Sequence, residues 1–133
     1  MGKLAQRVCE FENHWLFLRP RQVIAELLRG QRVLDVCCGS GDWSAELAAA
    51  RCQVVGIDSS STMVAYAREK RTAARFKVMD ATAMPFEFEF DAAVISLALH
   101  ALSAPVRQAV WESMVHAVTP GGRLIALDYT LPR

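Results

Sequence analysis

The sequence has few cysteines, few histidines and no long run of one charge or of apolar residues. Its four cysteines are Cys9, Cys37, Cys38 and Cys52. None forms a Cys-x-x-Cys pair and none has a histidine at ligand spacing, which disfavours a metal site or a disulfide framework. Cys37 and Cys38 read as small, partly buried turn residues, with redox chemistry of the adjacent pair as the sharper alternative. The 15 basic and 14 acidic residues leave a net charge of +1, and no basic block stands out. Nothing therefore points to nucleic acid as a partner. The longest uncharged stretch, Ala92 to Val106, contains His100 and Pro105 and falls short of the ~20 residues of a membrane helix. Lys3, Arg7 and Glu10 break up any apolar segment near the start, so no secretory signal is read there. The expectation is a cytoplasmic chain with no membrane partner. With 133 residues, 53% of them hydrophobic, one domain with a real core is expected.

What the sequence does have is the stretch Val33 to Ser44, Val-Leu-Asp-Val-Cys-Cys-Gly-Ser-Gly-Asp-Trp-Ser. A short apolar run is followed by a turn of small residues and then by a helical pattern from Asp42. Strand, Gly-rich turn and helix N-terminus in that order make a nucleotide-binding corner. Gly39 and Gly41 match only part of the dinucleotide pattern, because Ser44 holds the third position. A tight turn with no ligand is an equal reading of these residues alone.

The rest of the chain reads as further strand–helix units. Met1 to Gly30 is expected to be helical, with a break near Arg19-Pro20 and a second stripe of Val23, Ile24, Leu27 and Leu28. Residues 1–30 form either a segment packed on the core or a lid, with His14 and Trp15 suited to a small ligand. Residues 31–133 form the core. Strands are expected at Val33–Val36, Gln53–Ile57, Arg75–Met79, Asp91–Leu97 and Arg123–Leu127. Helices are expected from Asp42 to about Ala50, from Met63 to Arg71, and after Ser103 with the stripe Val106, Ala109, Val110, Met114 and Val118. Thr119 to Gly122 reads as a turn, and Phe86, Phe88 and Phe90 alternate with Glu as an edge strand would. This pattern predicts an α/β, Rossmann-like doubly wound fold: five parallel strands in order 3-2-1-4-5, helices on both faces. Ligands bind such sheets at the carboxyl ends of the strands where the order reverses.

Acids stand at those ends. Asp58 closes the second strand, 17 positions after Gly41, where a carboxylate suits both hydroxyls of a ribose. Asp80 follows the third strand, placed to accept from an adenine amine while the Ala81 amide meets a ring nitrogen. Asp35 lies inside the corner, placed to hold loop amides or an ammonium. The competing reading of Asp58 and Asp80 is a helix cap or a loop turn.

These segments resemble the successive motifs of class I S-adenosylmethionine-dependent methyltransferases. The carriers are Val33 to Ser44, Val-Gly-Ile-Asp58-Ser-Ser, Met-Asp80-Ala-Thr-Ala-Met-Pro-Phe, Phe-Asp91-Ala-Ala-Val-Ile-Ser and Val-Thr-Pro-Gly-Gly-Arg-Leu, in family order from Val33 to about Asp128. The wording around Cys37 and Cys38 most resembles the ubiquinone/menaquinone biosynthesis C-methyltransferase branch. The resemblance implies S-adenosylmethionine as cofactor, a small-molecule methyl acceptor and in-line transfer. It implies that Asp35, Cys37, Gly39, Ser40 and Gly41 cradle the methionine part. Asp58 would hold the ribose, and Asp80 and Ala81 would meet the adenine; Ser59 and Met63 are further cofactor-binding candidates. Ser96 and Leu97 would floor the methyl site. The segment Leu97-Ala-Leu-His100-Ala-Leu departs from the quinone-type wording.

Such chemistry needs alignment more than a protein nucleophile. His100 is the candidate general base, since its ordinary pKa lies near neutrality. A histidine that caps or packs under the loop is the preferred, blander reading. Phe86, Phe88, Trp15 and Phe17 are candidates to wall an acceptor pocket. The family normally continues after the fifth strand with a helix and two strands. That strand is therefore expected to be an open edge, which invites a homodimer through it. A cofactor-binding module without catalysis, or a truncated fragment, is the main alternative. A nicotinamide oxidoreductase is disfavoured by Ser44 and by the Asp80 loop.

Overall fold

The computed structural model describes residues 19–129. The aromatic segment around His14, Trp15 and Phe17, and Cys9 with it, lies outside the described residues. Helix α1 covers 19–27. It is followed by β1 (Arg32–Val36), α2 (Asp42–Ala49), β2 (Gln53–Asp58), α3 (Ser61–Lys70), β3 (Arg75–Val78), β4 (Phe90–Ser96), a 3-10 turn (Leu99–Ala101), α4 (Ala104–Ala117) and β5 (Val118–Leu127). Among the described residues the five strands form one parallel sheet in the order β3-β2-β1-β4-β5, as expected.

Each central strand buries both faces, as a parallel sheet covered by helices requires. Val33, Val54, Ala92 and Val94 pack with Ala25 of α1, with Leu28 just after it and with Trp43 and Leu47 of α2. The alternate residues Leu34, Val36, Ile57, Ala93 and Ile95 pack with Val110, Met114 and Ala117 of α4. Gly56 lets Phe76 lie across β2, for a Cβ there would come within 2.7 Å of the Phe76 ring. That packing closes the small cluster of Phe76 with Val64 and Ala67 of α3.

Four local expectations are corrected. The buried residues of α1 and the turn after it are Arg21, Ala25 and Leu28, whereas Val23 and Leu27 are 65% and 55% exposed. An arginine takes a core position there because it has buried ionic partners, described below. Thr119 to Gly122 does not form a separate turn: it lies within β5, where the pairing slips between Phe90↔Val118 and Ala92↔Arg123. Phe86 and Phe88 belong to no strand; Phe86 meets Phe90 edge to face in the core, and Phe88 lies against the His116 ring. Val106 on α4 is half-exposed, and Val118 begins β5 instead of ending the helix.

No helix among the described residues is long and apolar enough to cross a membrane. No group of three or more His, Cys, Asp or Glu among them is placed to hold a metal ion.

Candidate functional site

β1 and β4 lie side by side, with Val36 opposite Ile95, so the chain leaves the sheet in opposite directions beyond them. Both exits use a left-handed backbone at a residue other than glycine, Cys37 at φ 56 and Leu97 at φ 57. Side chains rarely adopt this conformation, and such residues concentrate at functional sites. After Cys37 the chain doubles back: the Cys38 N–H donates to the Ile57 carbonyl, and the Gly41 N–H to the Cys38 carbonyl, both at 2.9 Å. Gly41 holds φ 79 as the N-cap of α2, its α-carbon facing Phe76, where a Cβ would come within 2.8 Å.

Two cavities open along this rim and share Cys37. The first, about 120 Å³, is lined by Arg21, Asp35, the loop from Cys37 to Ser40, Asp42, Trp43 and the Ser96–Ala98 exit. The second, about 200 Å³, is lined by Cys37, Asp58, Ser59, Met79 to Thr82, and Leu102, Val106 and Val110.

The first cavity is charged. Asp35 is buried and accepts the Ser44 hydroxyl at 2.6 Å. Burial pushes its pKa up to about 6, against the pull of the Ser44 hydroxyl and of Arg21. Arg21, also buried, pairs with Asp42 at 2.9 Å, donates to the Ser96 hydroxyl at 3.3 Å and lies over the Trp43 ring. Arg71 reaches the other oxygen of Asp42 at 3.6 Å. Glu46, on the next turn of α2, is pushed up to about 7 by burial. The Trp43 indole N–H is buried without a hydrogen-bond partner among the described residues.

The second cavity is mostly apolar and keeps its carboxylates at the edge. Asp58 accepts the Gly39 N–H on one oxygen and the Ser60 N–H on the other, each at 2.9 Å. Each oxygen retains room for another donor. Asp80 takes the Thr82 N–H and hydroxyl on one oxygen, which holds its carboxyl below the usual range.

The structure thus brings together Asp35, Cys37, Gly39, Ser40 and Ser96 around one cavity and Asp58, Ser59, Asp80 and Ala81 around the other. Gly41 and Met63 line neither. Gly41 is part of the turn, and Met63 is buried in α3 with its N–H on the Ser60 hydroxyl. Phe86 and Phe90 lie toward the amino ends of the strands, so the acceptor wall expected from Phe86 and Phe88 is not formed here. Both rim cysteines are half-buried, and burial pushes the Cys37 thiol up to about 12 and the Cys38 thiol higher. Sequence reasoning missed Arg21 and Trp43. The signal for Arg21 was its place at i, i+4 and i+7 with Ala25 and Leu28, a charge on an apolar stripe.

Comparison with known proteins agrees with this geometry. A family model described as a methyltransferase domain matches residues 33–122. The demethylmenaquinone methyltransferase of Bacillus cereus (strain AH187) is 32% identical over 134 aligned residues, covering 94% of this chain and 56% of that protein. This chain spans about half the length of the curated relatives it matches. A solved protein from Pyrococcus horikoshii superposes with a TM-score of 0.79 at 25% identity, covering 91% of this chain and 55% of its own. A SAM-dependent methyltransferase from Aquifex aeolicus gives 0.82 at 22% identity, covering all of this chain and 76% of its own, and bears on the fold alone. The family match runs from the start of the nucleotide corner through every strand end that lines the two cavities to the slip in β5, and the chain belongs to the methyltransferase domain family.

Proposed function

We propose that the paired cavities hold S-adenosylmethionine and that the chain moves its methyl group to a small-molecule acceptor. The carrying observation is the pair itself: a charged cavity and a largely apolar one, meeting at Cys37. A zwitterionic amino acid joined through sulfur to a nucleoside has that same division. In this reading Arg21 and the Trp43 N–H face the carboxylate, and Asp35 faces the ammonium. Asp58 takes the ribose hydroxyls on its two remaining acceptor positions, with Ser59 beside it. Asp80 and the Ala81 amide meet the adenine edge, with Leu102, Val106 and Val110 against its face. When bound, the cofactor supplies an electrophilic methyl on a sulfonium. The protein supplies alignment and exclusion of water, which account for much of such a rate.

The test is a thermal melt with S-adenosylmethionine, S-adenosylhomocysteine and NADH in separate wells. At a hundred times the dissociation constant a ligand adds ~2.7 kcal/mol, several degrees for a domain of this size. The two adenosyl ligands should give that shift and NADH none. Asp58→Asn should weaken both adenosyl ligands, since the amide cannot accept on both sides. No shift in the native protein sinks the reading. Binding with no methyl transfer to a panel of phenols, thiols and amines would reduce it to a cofactor-binding module.

We also propose that two copies pair along β5. Its outer edge has no strand beside it among the described residues, and its central residues Leu124 and Ile125 are half-buried. An open edge of this kind is a template for another chain. A monomer's mass in light scattering at micromolar concentration would count against it.

A further inference from the structure

The 3-10 turn after β4 carries a side-chain pair that the cofactor reading leaves unused. His100 Nδ1 lies 2.6 Å from Asp128 Oδ1, and the His100 backbone N–H donates to Asp128 Oδ2 at 3.2 Å. The Tyr129 N–H donates to Asp128 Oδ1 at 2.8 Å, and the Tyr129 ring meets the imidazole edge to face. Asp128 is thus held by two backbone amides, and it holds the ring in turn. A carboxylate at Nδ1 keeps the proton there and leaves the Nε2 lone pair free, the tautomer a base requires. The pairing follows from the sheet: the Leu97 N–H donates to the Leu127 carbonyl at 2.8 Å, which brings the next residues of both strands together.

The turn also spans the right place. Leu97 and Ala98, before His100, line the charged cavity, and Leu102, after it, lines the apolar one. His100 lines neither cavity itself and lies between the residues of this segment that do. In the reading above, the junction of the two cavities is where the sulfur joins the two halves of the cofactor. The imidazole is about one-third exposed, so an acceptor can reach it.

We propose that His100 is the general base of methyl transfer, that Asp128 positions it, and that the acceptor is a hydroxyl acidic enough for imidazole to ionise. A phenol or an enol gives its proton to imidazole more readily than an alkyl alcohol does. The inference rests on the cofactor reading of the cleft. His100 Nε2 takes the hydroxyl proton while the oxygen bonds to the methyl carbon. The carbon–sulfur bond breaks and its electron pair stays on sulfur, leaving a neutral thioether. The imidazolium then gives its proton to water.

The test reads His100 directly by NMR titration of the imidazole C–H signals, assigned with His100→Gln. The ring's contacts among the described residues are Asp128 and Tyr129. Two probes are compared: S-adenosylhomocysteine, which is neutral at sulfur, and sinefungin, which places an ammonium where the methyl would be. A unit charge 6 Å away, at an effective dielectric between 20 and 80, lowers the His100 midpoint by roughly half a unit to two units. Sinefungin should therefore lower it relative to S-adenosylhomocysteine, while His116, packed against Phe88, stays put. In the ligand-free protein Asp128→Asn should move the His100 ring nitrogen shifts away from the Nδ1–H tautomer. If both probes bind and the midpoint is the same with each, His100 is a staple of the rim and not the base. An unchanged tautomer in Asp128→Asn removes Asp128 from its role. If neither probe binds, the cofactor reading fails, and this inference falls with it.

Discussion

At the amino ends of the sheet, Arg32 and Arg75 open β1 and β3, and Arg123 opens the regular part of β5. At the carboxyl ends, Asp58 closes β2, and Asp80 and Asp128 follow β3 and β5. The difference is in what the charges do. Arg32 and Asp91 form a two-pronged pair at 3.0 and 3.2 Å, with side chains 48% and 36% exposed, so water could serve either one. Asp91 also takes the Arg32 backbone N–H at 2.9 Å, tying one strand start to another, whereas Asp58 and Asp128 each take two backbone N–H groups and fix the course of loops. A hollow of about 550 Å³, larger than either rim cavity, lies toward the amino ends between Arg32, Arg75, Lys77 and Phe86. Size alone would place the site there. The carboxyl rim has the turned-back loops, the left-handed residues and the buried charges, and it is the rim the reversal of strand order opens.

Breaking a charge at each rim should show the contrast. The largest effect is expected at Arg21. Arg21→Met removes the buried cation beside Asp42 and Asp35 and leaves Asp42 with Arg71 at 3.6 Å, which should cost about 2–4 kcal/mol in urea melts and abolish the shift given by S-adenosylmethionine. A loss below 1 kcal/mol would place Arg21 among the surface pairs.

Asp35 comes next, through pH. Its folded-state pKa of about 6 lies above its ordinary value of 3.8, so the folded protein holds this proton more tightly than the unfolded chain. The stabilisation from Asp35 is fully present below 3.8 and is lost as the pH rises through about 6. Glu46, raised to about 7, acts in the same sense. Ligand-free Asp35→Asn should therefore lose part of the stability change between pH 4 and 7, up to about 3 kcal/mol, relative to the native chain. Affinity for S-adenosylmethionine should weaken below pH 6 in the native chain and become flatter in the variant. An unchanged pH profile would mean that Asp35 stays ionised throughout.

The smallest effect belongs to the other rim. Arg32→Ala should cost under about 1 kcal/mol and leave cofactor binding intact. A large loss of binding would move the functional site toward the amino ends.

Much of the carboxyl rim was legible in sequence because each piece is local. A strand ending in an acid, a Gly-rich turn and a helix start can be read within a dozen residues, and this placed Asp35, Gly39, Ser40, Asp58, Asp80 and Ala81. Pairings across the fold were not legible. Arg21 meets Asp42 and Ser96 only after α1, α2 and β4 have packed, and His100 meets Asp128 only through the β4–β5 register. The aromatic alternation of Phe86, Phe88 and Phe90 misled because it obeys a strand's period while the backbone turns left-handed at Phe88, φ 51. Thr119 to Gly122 carries turn residues, but the slip in register keeps it in the strand. Gly122 fits there because a Cβ would collide with Val118 and with the Asp91 carbonyl.

Cys37, at the junction of the two cavities, is a soft nucleophile set beside the position proposed for an alkylating electrophile. With its thiol pushed up to about 12 by burial, Cys37 is a neutral thiol at pH 7. Iodoacetamide at neutral pH should spare Cys37 in the folded protein and label it once urea exposes it. Labelling at the same rate in both states would show a reactive thiol. In the proposed reading, the burial that shapes this turn also keeps the protein from methylating itself.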